Sequence, residues 1–414
     1  MSAQAAPRDR SYLRVLAVLL GAATFFEGYD TGIAAIVIPD LAKSFHASTA
    51  TIGRAAAVVN LGALVALVLI AAADRVGRRP LLIVTTLLYA LFTGLTAAAH
   101  TVAIFAAIQF VARSFLVTEV AIAITIAAEE FPAELRGRFL GSLSALGALG
   151  LIAVAVAYKA LAHTALGWRG LYLLGTIPVL VVAPLRLKLQ ESRRWREAKE
   201  QGPHLSPRAS LTAFARGEPR RRILVISGVL FLFNFATISG SAYWTYFARH
   251  QRGFPANTAN TFLAAAVILG IPGYLLAGRL QDRWGRRRTG TLYLTAGTAF
   301  GIAAFQLHGR PALLAVLALA VFFGLGAAPV LNALSSELFA TPVRASAVAI
   351  SRSVAGTLGA SAGLLAVGTL AAKGGLIGHV GDSVSLAALA LIPAVILLRT
   401  LPETAGEELE AIAE

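Results

Sequence analysis

The chain has 414 residues, of which 57% are hydrophobic, 14% are charged and none is cysteine. Soluble proteins keep roughly a quarter of their residues charged, and ionisable side chains are costly in hydrocarbon, so this composition belongs to a chain that lies mostly in lipid. The lack of cysteine excludes disulfides and thiolate metal sites, and the net charge of +15 falls in short basic runs between apolar stretches, as loop charge at one membrane face and not as a nucleic-acid surface.

The first ten residues resemble neither a cleavable signal nor a transit peptide and form a short cytoplasmic tail ahead of the first span. A helix needs about 20 mostly apolar residues to cross a bilayer, and in lipid only helices or closed barrels satisfy the backbone. No barrel-like alternation is present. Twelve helical spans are predicted in chain order, over residues 13–38, 51–73, 81–98, 101–128, 139–162, 167–187, 223–247, 258–280, 289–307, 311–335, 343–372 and 384–398. With the N-terminus inside, about 26 of the 36 Lys and Arg lie at the cytoplasmic face and about eight at the outer face. Both termini are therefore expected in the cytoplasm. The expected fold is an all-α integral membrane protein of twelve transmembrane helices in two six-helix bundles, over 1–187 and 223–400. A cytoplasmic linker rich in Arg, Lys and Pro spans 188–222, and a cytoplasmic tail covers 401–414.

The halves carry a repeat. Asp74-Arg75-Val76-Gly77-Arg78-Arg79 recurs as Asp282-Arg283-Trp284-Gly285-Arg286-Arg287, displaced by 208 positions. Glu129 and Arg136 recur at the same displacement as Glu337 and Arg344, and Glu191-Ser192 pairs with Glu403-Thr404 at a displacement of 212. The loop after the second span resembles the signature G-x-x-x-D-R-x-G-R-[RK] of the major facilitator superfamily, and the resemblance covers essentially the whole chain. One departure is Ile70, where the pattern has a glycine that the second copy keeps as Gly278; looser or altered packing is expected there. Within the superfamily, Glu27-Gly28-Tyr29-Asp30-Thr31-Gly32 is similar to the first-helix motifs of aromatic-acid:proton symporters and of sugar porters. The ending Pro402-Glu403-Thr404-Ala405-Gly406 resembles the one both groups share. The fifth span has Gly141, Gly147 and Gly150 but no proline, unlike drug:proton antiporters, and the seventh span lacks the glutamine pair of sugar porters. Both absences point toward an importer of organic acids.

Charges inside spans point to function, because each is costly unless paired or wetted. Asp30 lies roughly 12 Å below the outer end of the first span and Glu27 roughly 17 Å, while Arg113 lies roughly 18 Å into the fourth. The resemblance implies that Asp30 takes the proton and Arg113 is its partner. Arginine and lipid burial act in opposite senses on the proton of that carboxylate, so access from either side can couple proton occupancy to conformation. The alternative is a static ion pair that only orients helices. Glu27, one turn before Asp30, is a second proton site or a further partner of Arg113. Glu119 and Arg352 fall at similar depths from the inner face and are expected to bond to one another; alternatively Arg352 binds a substrate carboxylate or snorkels to the interface. Asn234, Tyr243, Trp244 and Asn332 join Arg113 and Arg352 as candidate substrate contacts, with aromatic-belt or interhelical roles as the alternatives.

The repeated loops carry a different task. Asp74, Arg75, Gly77, Arg78, Glu129, Arg136 and Glu191, with Asp282, Arg283, Gly285, Arg286, Glu337, Arg344 and Glu403, resemble the cytoplasmic charge network that holds such transporters outward-open. No nucleophile, metal cluster or phosphate-binding loop stands out, so neither an enzyme nor a cofactor is expected. The expected function is proton-coupled uptake of a small organic, aromatic carboxylate by alternating access, with a sugar or polyol porter and a non-transporting membrane sensor as alternatives. The expected partners are the small-molecule substrate, protons and the lipid of the cell's inner (plasma) membrane, with no nucleic acid and no need of a second subunit.

Overall fold

The computed structural model describes residues 10–47, 49–161, 164–177, 186–187, 189–192, 195–197, 200, 214, 217–371 and 376–407. Most of the expected linker after residue 192 lies outside the described residues, as do the side chains of Asp74 and Arg75. Two compact units result, one of residues 1–132 and 146–210 and the other of 133–145 and 211–414.

The first part of the chain forms α1 (Arg10–Ile36), α2 (Ile38–Ser44), α3 (Thr49–Asn60), α4 (Gly62–Val76), α5 (Arg78–Thr96), α6 (Val102–Glu130), α7 (Ala133–Leu161) and α8 (Gly167–Leu174). There follow α9 (Gly217–His250), α10 (Ala256–Trp284), α11 (Arg286–Gln306) and α12 (Arg310–Glu337). A 3-10 turn (Thr341–Val343), α13 (Arg344–Val348), a π-helical stretch (Ala349–Ala355), α14 (Gly356–Ala371), α15 (Val380–Ala388) and α16 (Leu391–Arg399) complete the described chain. Among the described residues nine helices are long and apolar enough to cross a membrane. The other expected spans fall short for local reasons. The second breaks at Leu61 between α3 and α4. The sixth begins as α8 and runs into residues outside the description. The ninth, α11, is diluted by threonine and glycine.

Large side chains stay exposed on these helices, among them Val18 (67%), Val156 (65%), Leu365 (70%) and Ile396 (62%). Apolar exposure on that scale suits a lipid solvent and not water. Helix association in lipid gains little from the hydrophobic effect and depends on close packing and polar contacts. Thus Gly28 and Gly150 let α1 and the second half of α7 touch backbone to backbone, where a Cβ at either would overlap a main-chain oxygen. Ile70 is fully buried in the first unit, whereas Gly278 lies against Gly137 and Gly141 in the second. The most apolar stretch of α6 is 78% buried, against 22–44% for the other eight spans. That makes α6 the central helix of its unit, and it carries Arg113 and Glu119.

Candidate transport site

Asp30 is interior, at 6% exposure, on α1. Its charged and polar neighbours are Arg113, Glu27 and Tyr89, and Arg113 and Glu27 are themselves half-buried. Among the described residues one carboxylate oxygen of Asp30 and the Nε of Arg113 have no hydrogen-bond partner, while the hydroxyls of Tyr89 and Thr93 lie close by without a short bond. Among the described residues Asp30 and Arg113 form no ion pair, so the expected partners are neighbours without a bridge. Buried polar groups are nearly always bonded, and such a cluster of open donors and acceptors on α1, α5 and α6 stands out for that reason.

Glu119 belongs to the same interior region as a neighbour of Tyr89. The sequence suggested Arg352, of the other unit; within its own unit Glu119 pairs with Arg186, whose Nη1 lies 2.6 Å from Oε1. Arg186 also donates to the Leu19 carbonyl at 3.0 Å and to the Thr86 hydroxyl. The reason is spatial: Arg186, at the end of the sixth predicted span, has its guanidinium fully buried beside α1, α5 and α6, where Glu119 supplies a counter-charge.

In the second unit the amide of Asn234 donates to the Leu230 carbonyl of its own helix at 2.9 Å. Tyr243 donates its hydroxyl to the Leu364 carbonyl at 3.1 Å, joining α9 to α14. Trp244 takes a packing role. It is fully buried, its indole donates to the Ala259 carbonyl at 3.1 Å, and its ring packs with Phe247 and Phe305. Asn332 is half-buried on α12. Arg352 is half-buried at the middle of the π-helical stretch, where the extra residue of each turn re-aims side chains.

The repeated loops have matching geometry. Gly77 and Gly285 end α4 and α10 at φ +117° and +96°, left-handed values that glycine adopts without strain. Glu191 then accepts from the main-chain N–H of Arg78 and Arg79, each at 3.1 Å, at the start of α5. Glu403 does the same for Arg286 (2.7 Å) and Arg287 (3.0 Å) at the start of α11. A carboxylate there satisfies free N–H groups and the positive end of the helix dipole. Arg78 reaches back to the Ala73 carbonyl at 3.0 Å and pairs with Glu129 at 3.2 Å. Arg286 reaches the Gln281 carbonyl at 3.0 Å and grips both oxygens of Glu337 at 3.0 and 3.1 Å. Glu337 also pairs with Arg136 at 3.0 Å and accepts from Thr404. Asp282 accepts from the N–H groups of Gly137 and Arg138, both at 2.8 Å. Arg344 is fully buried and donates to Thr341 at 2.9 Å, while Arg283 is exposed.

The profile of the Major Facilitator Superfamily matches residues 20–364 and again 224–413. The chain belongs to this superfamily. It is 28% identical to the putative niacin/nicotinamide transporter NiaP of Bacillus subtilis, over 96% of this chain and 98% of that one. It is 27% identical to the probable 4-methylmuconolactone transporter of Cupriavidus pinatubonensis, over 82% and 79%. Its fold is like that of the proton:xylose symporter XylE bound to 6-bromo-6-deoxy-D-glucose, with a TM-score of 0.79, 20% identity, and 98% and 100% of the two chains covered. The major facilitator fold expected from the sequence is the fold of this chain, and this superfamily member is a multi-pass membrane transporter.

Several residues of the transporter's interior escaped the sequence reading. Arg186 was hidden because it ends a predicted span, where arginine ordinarily marks the interface. Tyr89, Thr86 and Thr93 are unremarkable in an apolar helix, and only the packing of α5 against α6 brings Tyr89 to the two acids and Thr86 to Arg186. Thr404 had a signal, as the partner of Ser192 in the repeated Glu-Ser and Glu-Thr pairs.

Proposed function

We propose that the transporter imports a small organic, aromatic carboxylate together with protons by alternating access. The observation that carries this reading is Asp30, an interior carboxylate with an open oxygen beside an arginine that has an open donor. Such a pair is suited to take up a proton and an anion in turn. Protonation of Asp30 removes the negative charge beside Arg113 and leaves that guanidinium to hold the substrate carboxylate, and Glu27 is a second acid on the same helix face. Arg352, on its π-helical stretch, supplies a second guanidinium for planar carboxylate recognition. Niacin, named for the Bacillus relative, is a pyridine carboxylate, which favours an acid over a sugar.

The Arg136–Glu337 and Asp282–Gly137 bonds are the gate contacts in this reading, and they break when the inner side opens. The bundles run over 1–187 and 223–400, both termini lie in the cytoplasm, and the protein works as a monomer in the inner membrane. The excess of arginine in the loops of one face supports that orientation.

The test is the internal pH of proteoliposomes on adding nicotinate, other aromatic carboxylates or sugars, with wild type and Asp30→Asn in parallel. Carboxylate-dependent acidification, lost in Asp30→Asn, is the expected result. Carboxylate entry without proton movement in wild type sinks the coupling, and acidification by sugars alone replaces the substrate class.

A further inference from the structure

A cleft of about 620 Å³ opens where α10 and α16 end and α11 begins, lined by Trp284, Arg287, Arg288, Thr291, Arg399 and Glu403. Three arginines share it with one acid, and that acid is already engaged. Glu403 accepts from the main-chain N–H groups of Arg286, Arg287, Thr404 and Ala405. Arg287 donates one Nη to the Arg399 carbonyl, while its Nε has no partner among the described residues. Arg288 and Arg399 are exposed, and their side chains enter no hydrogen bond or ion pair among the described residues. The cleft therefore carries uncompensated positive charge with donors to spare.

The internal repeat separates what the fold demands from what is added. Arg79 donates to the Leu187 carbonyl at 2.7 Å in the first copy, as Arg287 does to the Arg399 carbonyl in the second. Glu191 and Glu403 cap their helices alike. Arg287 and Glu403 are thus the common framework. The same alignment puts Val76, Pro80, Ile83 and Leu187 opposite Trp284, Arg288, Thr291 and Arg399. Only the second copy has the tryptophan, the two arginines and the threonine at these positions, and all four line one cleft. A topology signal or a helix cap needs none of that concentration.

Beside the arginines, Trp284 is 50% exposed at the end of α10 and Leu292 is 42% exposed in the second turn of α11. Tryptophan favours the level of lipid headgroups, and basic pockets between helix ends favour anionic ones. A free phosphate would use the arginines but not the apolar rim. We propose that this cleft binds the headgroup phosphate of an anionic phospholipid through Arg288, Arg399 and Arg287, with Trp284 and Leu292 against its glycerol and upper acyl carbons. Because Glu403 caps the helix whose Arg286 grips Glu337, a bound headgroup braces the charged loops of the second unit.

The full-length protein, purified in a neutral detergent, is titrated with phosphatidylglycerol or phosphatidylcholine, and bound lipid is counted by native mass spectrometry. Inorganic phosphate and glycerol 3-phosphate serve as competitors. Wild type is expected to retain phosphatidylglycerol in preference to phosphatidylcholine. Arg288→Gln/Arg399→Gln is expected to bind it roughly thirtyfold more weakly. Arg249→Gln, at an exposed arginine outside the cleft, is expected to bind as wild type does. Equal retention of the two lipids, or unchanged binding by the double variant, overturns the site. Displacement of phosphatidylglycerol by equimolar inorganic phosphate or glycerol 3-phosphate overturns the lipid in favour of a soluble phosphate. Both replaced side chains are exposed and unbonded, so the double variant is expected to elute as a single folded species.

Discussion

Arg186 and Glu119 form an ion pair of 2.6 Å, with side-chain exposures of 0% and 4%. The same guanidinium bonds the Leu19 carbonyl and the Thr86 hydroxyl, so one side chain ties α1, α5 and α6 together in the unit that holds Asp30. A buried charge is tolerated only while its partner remains, which gives the pair a testable signature.

Glu119→Gln is expected to destabilise the protein by ~3–5 kcal/mol, because it leaves a guanidinium buried without a counter-charge. Glu119→Leu combined with Arg186→Met is expected to recover most of that loss, since well-packed apolar residues replace such pairs at little cost. Thermal unfolding in detergent measures both. Equal midpoints for the single and double variants would show that charge compensation is not what the pair supplies.

Arg136 and Arg286 share Glu337, but not equally. Arg286 grips both oxygens, and Arg136 holds one. Arg136→Gln therefore leaves the stronger pair intact and is expected to fold while loosening the start of α7. Since the chain has no cysteine, a single reporter suffices. Ala133→Cys, 2% exposed, is expected to react with an impermeant maleimide about tenfold faster or more in the Arg136→Gln background, as for loss of one charge-assisted bond. An unchanged rate would count against a gating role for Arg136.

Glu337→Gln carries the opposite expectation. It removes the carboxylate that two fully buried guanidinium groups share and leaves Arg286 only its longer pair with Asp282, at 3.3 Å, so loss of folded protein, by ~3–5 kcal/mol, should precede any change in gating. Size-exclusion yield and unfolding midpoint read this directly, and a stable Glu337→Gln protein would refute it.

Arg352→Lys keeps the positive charge but loses the planar fork. The KM for a carboxylate substrate is expected to rise by about tenfold or more, with the uptake of an uncharged amide analogue little changed. Equal effects on acid and amide would assign Arg352 to helix structure and not to the substrate.

The repeated loops were legible because their chemistry is local. Glycine at a left-handed turn, arginines opening the next helix and an acid to cap it can be recognised from spacing, and the two copies reinforce each other. Asp30 and Arg113 were legible because charge in an apolar span is conspicuous wherever it falls. The burial of Trp244 was not legible because aromatic density in α9 says nothing about which ring is turned inward. Arg186 was missed because a cation at a span's end is ordinarily solvated.

From the sequence by itself come the membrane class, the order of the spans, the superfamily and the doubled motif. Each of these depends on composition or short-range spacing, which chain order preserves. Only the tertiary structure decided that Glu119 answers to Arg186, that Trp244 packs in a core and that Arg352 sits in a π-helical stretch. It also gathered Trp284, Arg288 and Arg399 around one cleft. Partner choice among buried charges depends on which helices approach, and that approach is set by side-chain packing over the whole unit, which no short window of sequence contains.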